Sequence, residues 1–177
     1  ALLPAAPALA QEHVHDATAE HEHQEGHQAV VKAIAPLFET VKGYLIAAAE
    51  QMPEELYSYR PTPEVRTFGQ LIGHVANAQY GFCNGAMGVP AMGPENFEER
   101  TAKASLVEAL KMGFAACEKA YAMDDAVALQ EVDFFGQKGP RLWVLNFNVA
   151  HNFEHYGNVV TYLRANGLVP PSSQRGT

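Results

Sequence analysis

The sequence predicts an all-α fold: a four-helix bundle behind a disordered or loosely ordered, histidine-rich N-terminal tail. Three observations carry this. Four long segments repeat apolar residues at three- and four-residue intervals, glycine- and proline-rich stretches separate them, and no segment shows convincing strand alternation. The 177 residues suffice for one domain with a proper hydrophobic core and are too few for two comfortable ones.

Residues 1–10, ALLPAAPALA, are small and apolar and finish on Ala8-Leu9-Ala10, the pattern of an A-x-A cleavage site. Read as the remnant of a secretory signal peptide, they place the mature protein in the periplasm or outside the cell. Without a basic n-region, an Ala/Pro-rich leader is the other reading. Residues 11–27 form a polar tail with His13, His15, His21, His23 and His27, and with Glu12, Asp16, Glu20, Glu22 and Glu25. Such a tract is a solvated leader or a metal-collecting arm.

The bundle is expected over 28–174. Val31, Ile34, Phe38, Val41 and Leu45 mark one apolar face of a first helix over 28–51, with Pro36 either kinking it or setting its true start. MPEELYSYRPTPEV carries three prolines and is a connection. In TFGQ, Thr67 caps a second helix over 68–86 and Gln70 reaches back as in a capping box; Phe68, Leu71, Val75, Ala78 and Phe82 form its apolar face. After the Gly-rich GAMGVPAMGP, Leu106, Leu110, Phe114, Cys117 and Tyr121 mark a third helix over 101–122. QEVDFFGQKGP reads as a connection of breakers, with Pro140 opening a fourth helix that runs to Asn166 and stops at Gly167 and Pro170-Pro171.

The formal net charge of −8 argues against a phosphate-binding surface, so nucleic acid is not an expected partner. No apolar run approaches the ~20 residues of a membrane span. Cys83 and Cys117, with no CxxC, exclude a thiolate zinc site and a disulfide scaffold by count, leaving one bridge open; Cys117 reads as a core filler.

Outside the tail only His74, His151 and His155 remain. His151 and His155 stand four apart on the fourth helix, in the stripe Trp143, Phe147, His151, His155, Asn158, Tyr162, and so project from one face about 6 Å apart. The aromatic neighbours predict that the pair points into the bundle, where His74 of LIGHVA can join it. Two inward imidazoles need hydrogen-bond partners or a metal ion, and the spacing alone leaves both open. Cys83, nine residues past His74, faces away from the cluster.

RPTPEVRTFGQLIGHVANAQYGFC and AHNFEHYGNVVTYLRANGLVPPSS together resemble the DinB-like proteins of the DinB/YfiT superfamily, a likeness that covers roughly residues 28–174. The resemblance implies a four-helix bundle, usually a homodimer, in which three histidines hold a divalent metal, often nickel or zinc, at the end of a pocket. By position, those ligands fall on His74, His151 and His155. The resemblance further implies an enzyme that activates a low-molecular-weight thiol, as in the superfamily's S-transferases and mycothiol-dependent maleylpyruvate isomerase. An extracytoplasmic location favours water over thiol, giving a hydrolase type instead. The alternative is a non-catalytic metal-binding protein whose histidine-rich tail collects ions for the triad.

No residue stands out as the general base. Glu154 is the nearest acid but sits one position off the ligand face; Asn77 and Tyr156 flank ligands and have structural readings as well. Asn158, on the histidine stripe, is the expected lining of a substrate pocket.

Overall fold

The computed structural model of the chain describes residues 28–174. The expected signal remnant at 1–10 and tail at 11–27 lie outside the described residues.

The domain is mostly helical, and the all-α expectation is corrected by a small sheet. Its elements in chain order are α1 (Ala29–Lys32), α2 (Ala35–Gln51), α3 (Phe68–Met87), α4 (Lys103–Ala116), α5 (Asp125–Ala128), β1 (Glu131–Phe134), β2 (Gln137–Pro140) and α6 (Arg141–Ala165). Short 3-10 segments lie at Glu54–Ser58, Phe97–Glu99, Ala120–Ala122 and Pro171–Ser173. Among the four long helices, α3 packs on α4 and α6, and α2 packs on the same two.

Local chemistry explains each boundary. Pro36 falls in the first turn of α2, where its missing N–H costs nothing, so the expected first helix divides into α1 and α2. Thr67 Oγ1 accepts from Gln70 N–H while Gln70 Oε1 accepts from Thr67 N–H, the reciprocal box expected from TFGQ. The third expected helix stops early, at Ala116, and the chain passes through a turn to Ala120–Ala122. Pro140 ends β2 and caps α6 from outside the helix.

The hairpin occupies the stretch expected to be an irregular connection. β1 and β2 pair antiparallel, Phe134 opposite Gln137, around a two-residue loop in which Phe135 and Gly136 both have positive φ, 53° and 74°. That is the loop geometry that matches the twist of a tight hairpin. Asp133 Oδ1 accepts from Gly136 N–H at 3.1 Å and braces the turn.

The core gathers Phe38, Val41 and Leu45 from α2, Phe68, Ile72 and Val75 from α3, Leu106, Leu110 and Phe114 from α4, and Leu145, Val159 and Leu163 from α6. The open bridge is closed: Cys83 in α3 is bonded to Cys117 just after α4, 34 residues on, and both are buried. Closing a loop of that length removes about 3–4 kcal/mol of chain entropy from the unfolded state.

Polar side chains also enter the core. Gln79 of α3 and Asn148 and Asn152 of α6 are fully buried. Gln79 Nε2 donates to Asn152 Oδ1 at 2.7 Å and to the Val75 carbonyl at 3.1 Å; Gln79 Oε1 accepts from Asn148 Nδ2 at 3.1 Å. The Tyr121 hydroxyl donates to Asn148 Oδ1 at 3.0 Å. The network fixes α3 against α6 in one register, because sliding either helix would strand several buried amide groups.

Candidate metal centre

His74 sits midway along α3, and His151 and His155 one turn apart on α6; packing of these two helices brings the three together. One ligand-capable atom from each lies within 4.8 Å of the others. Nε2 of His151 and Nε2 of His155 are 3.0 Å apart. Two nitrogens bound to one tetrahedral ion at about 2.0–2.1 Å would stand roughly 3.3 Å apart, so the pair is spaced for a shared ion.

A carboxylate sets the third ring. Glu98 Oε1 lies 2.8 Å from His74 Nδ1, and Oε2 accepts from Arg66 Nε at 2.9 Å. Burial pushes the Glu98 carboxyl up, but hydrogen bonds and charge from Arg66 and His74 outweigh it and hold the group below its usual range. An ionised carboxylate only accepts, so Nδ1 of His74 carries a proton toward it and Nε2 is left as the available ligand atom. Gly73 makes this contact possible: a Cβ there would collide with the Phe97 carbonyl and stand 2.8 Å from Glu98 N. Lacking one, α3 lets the Phe97–Glu98 backbone run against it and deliver the carboxylate to the next residue.

The other two rings are held neutral. Burial first, then the neighbouring imidazoles and Arg66, push His151 down to about 3. His155 is lowered as well, chiefly by burial. Nδ1 of His151 is buried without a hydrogen-bond partner, an omission that costs about 1–3 kcal/mol for a core histidine. His151 is therefore not a satisfied core residue. Three imidazoles converging on one place suit a borderline divalent cation such as zinc or nickel.

Two clefts meet at the cluster. One, of about 630 Å³, is bordered by Arg66, Glu98, His155, Asn158 and Tyr162. The other, of about 310 Å³, is bordered by His74, His151 and phenylalanine rings. Asn158, the expected pocket residue, lies in the first, with Nδ2 3.4 Å from His155 Nδ1.

The expected orientation of α6 needs correcting. The stripe of Trp143, Phe147 and His151 does not point into the core; Phe147 is 41% exposed, and the buried face carries Val144, Leu145, Asn148, Asn152 and Val159. The histidines border the clefts at the edge of the core. Of the flanking residues, Asn77 accepts from Phe97 N–H and donates to Asn96, holding the loop that carries Glu98. The Tyr156 hydroxyl pairs with Ser172 and pins the C-terminal segment. Glu154 is exposed. Sequence reasoning missed Glu98 and Arg66, and no periodicity could have linked Glu98 to a histidine 24 residues earlier.

A helical domain whose two central helices converge on a histidine cluster between clefts defines the class of protein. The family model of the DinB superfamily matches residues 37–159, and the chain belongs to that superfamily. Solved structures of the same fold include a DinB-like protein from Bacillus cereus ATCC 10987, with 19% identity and a TM-score of 0.66 over 80% of this chain and 93% of that one. Another is a DinB-like protein from Bacillus subtilis, 20% identical with a TM-score of 0.62 over 84% of this chain and 99% of that one. A mutant of the mycothiol-dependent maleylpyruvate isomerase is 15% identical with a TM-score of 0.63 over 73% of this chain and 60% of that one. No curated protein matches the chain in sequence. No helix among the described residues is long and apolar enough to cross a membrane.

Proposed function

We propose that the protein is a metal-dependent enzyme of the S-transferase or hydrolase type, in which His74, His151 and His155 hold a divalent ion, zinc or nickel. The observation that carries this reading is the convergence of three imidazoles within 4.8 Å at the junction of two open clefts. A divalent ion held by three neutral nitrogens supplies a Lewis acid that lowers the pKa of a thiol or water. The fold shared with a mycothiol-dependent isomerase supports the thiol arm.

The chain's own groups divide the remaining work. Glu98 keeps the His74 proton on Nδ1 and offsets positive charge at the cluster; Arg66 holds Glu98 in place. Asn158 presents an N–H toward His155 Nδ1. Ligation through His155 Nε2 requires a proton on Nδ1, so the Asn158 amide turns over and offers Oδ1 instead.

We also propose a periplasmic or secreted location, which the Cys83–Cys117 bond supports, since such bonds persist in oxidising compartments. A homodimer is the proposed assembly, and light scattering at one chain mass would end that proposal. The five histidines of residues 11–27 favour a second reading, a non-catalytic protein whose tail collects ions for the triad.

The test is metal content by mass spectrometry on the untagged chain beside His74→Ala and His151→Ala. Loss of one equivalent in both variants supports the triad and justifies screening thiols and hydrolysable esters. Equal metal in all three returns the histidines to a structural role. Deleting residues 11–27 then separates the two readings, because an enzyme keeps its turnover and a collector loses uptake.

A further inference from the structure

Four phenylalanines and two histidines supply most of the lining of the smaller cleft, with Asn77, Ala78 and Gly81 completing it. Phe82 of α3 lies 5.3 Å from Phe134, 5.0 Å from Phe147 and 5.1 Å from the ring of His151, centroid to centroid. Phe135, at the hairpin tip, lies tilted against Phe134 with centroids 4.2 Å apart while remaining 78% exposed. Asn77 also borders the space, but its amide is engaged by Asn96 and Phe97. The polar side chains left at this end are His74 and His151.

Two features of the backbone point to the cleft as a built site. Gly85 has no Cβ, and one placed there would come within 2.6 Å of the Phe134 ring, so α3 is shaped to receive the hairpin. Phe135 adopts φ 53°, a left-handed conformation that asparagine or glycine enters easily and a bulky side chain enters at a cost. Neither turn chemistry nor burial accounts for a phenylalanine there. Strain of this kind at the rim of a candidate site indicates a side chain retained for what it contacts.

We propose that this cleft binds a single aromatic ring of the substrate, whose polar head reaches the histidine cluster: a small aryl compound with a metal-binding thiol, hydroxyl or carbonyl group. A volume of about 310 Å³ is at the small end for ligand sites and has room for a small aryl compound. Facing aromatic rings favour a flat π-system in offset or edge contact. The proposal rests on the metal-site reading above for the head group, and on the cleft alone for the ring.

Gly81 supplies the test. It borders the cleft, and a Cβ there would meet nothing within 4 Å, so the side chain of Gly81→Leu starts in open space and intrudes on the cleft. Phe135→Gly removes the exposed ring at a position whose positive φ suits glycine. Zinc-loaded full-length chain is titrated calorimetrically with benzohydroxamate and acetohydroxamate, which share a metal-binding head and differ by the ring. Wild type should bind benzohydroxamate at least tenfold tighter. In both variants the ratio should fall to within about twofold of the ratio for free zinc, with zinc content unchanged. A wild-type ratio equal to that for free zinc, or one retained in both variants, overturns the proposal. Should the chain hold no zinc, the metal reading fails by itself and the cleft is judged separately by saturation-transfer NMR on metal-free protein with benzamide. Binding to wild type and not to Gly81→Leu upholds the aromatic site; no binding to wild type rejects it.

Discussion

Helices α3 and α6 are joined by polar side chains twice, and the two junctions differ in kind. In the core, every buried side-chain nitrogen and oxygen of Gln79, Asn148 and Asn152 has a partner. At the edge of the core, one turn away along both helices, the histidine cluster leaves Nδ1 of His151 with none and sets two Nε2 atoms against each other. In the core the fold satisfies its own polar groups; at the cluster two Nε2 atoms face each other at a spacing that suits a shared ion.

The contrast can be broken most heavily from the structural side. Replacing both Cys83 and Cys117 with alanine, one turn beyond Gln79 on α3, should lower unfolding free energy by about 3–4 kcal/mol, read from urea denaturation. A loss under 1 kcal/mol would mean that the amide network alone fixes the register. Asn152→Ala should cost about 1–3 kcal/mol in metal-free protein, since it leaves one buried N–H of Gln79 without its acceptor while the bonds of Gln79 to Val75 and Asn148 remain.

The functional side should respond differently. Glu98→Gln is expected to weaken metal binding about 10–100-fold in competition with a chelator, with little change in the metal-free melting temperature. An unchanged affinity would show that the carboxylate does not orient His74. The smallest effect sharpens the comparison most: His151→Phe, beside the Phe82 ring, should leave metal-free stability within about 1 kcal/mol of wild type while abolishing metal uptake. A large loss of stability there would place His151 with Asn152 as a structural residue.

What was legible in the sequence was local. The TFGQ box fixed the start of α3 because its bonds span only three residues, and the i,i+4 spacing of His151 and His155 fixed their common face. The apolar neighbours of His74 in LIGHVA let it point inward too, but its assignment as the third ligand came through resemblance, since no periodicity connects two helices 77 positions apart. The stripe from Trp143 to His151 was misplaced, while His155 is buried as expected, because steps of four residues drift about 40° each around a helix, so a line of such steps crosses from the edge to the core face. Asn148 and Asn152 look like surface residues until their partner Gln79 is in view. The hairpin escaped because its strands are four residues long and its loop is Phe-Gly, without the asparagine or aspartate that usually marks such turns. Glu98 escaped because its place depends on a missing Cβ at Gly73.

The bond between Cys83 and Cys117 also has a topological consequence. The connection from Gly88 to Ala102, with exposed Val89 and Met92 and with Glu98 near its end, lies inside the loop that this bond closes. A protease that cuts there leaves one covalent molecule: a single band on a non-reducing gel and two after reduction. The segment that supplies the carboxylate can therefore be nicked, and even replaced, without separating the two helices it joins.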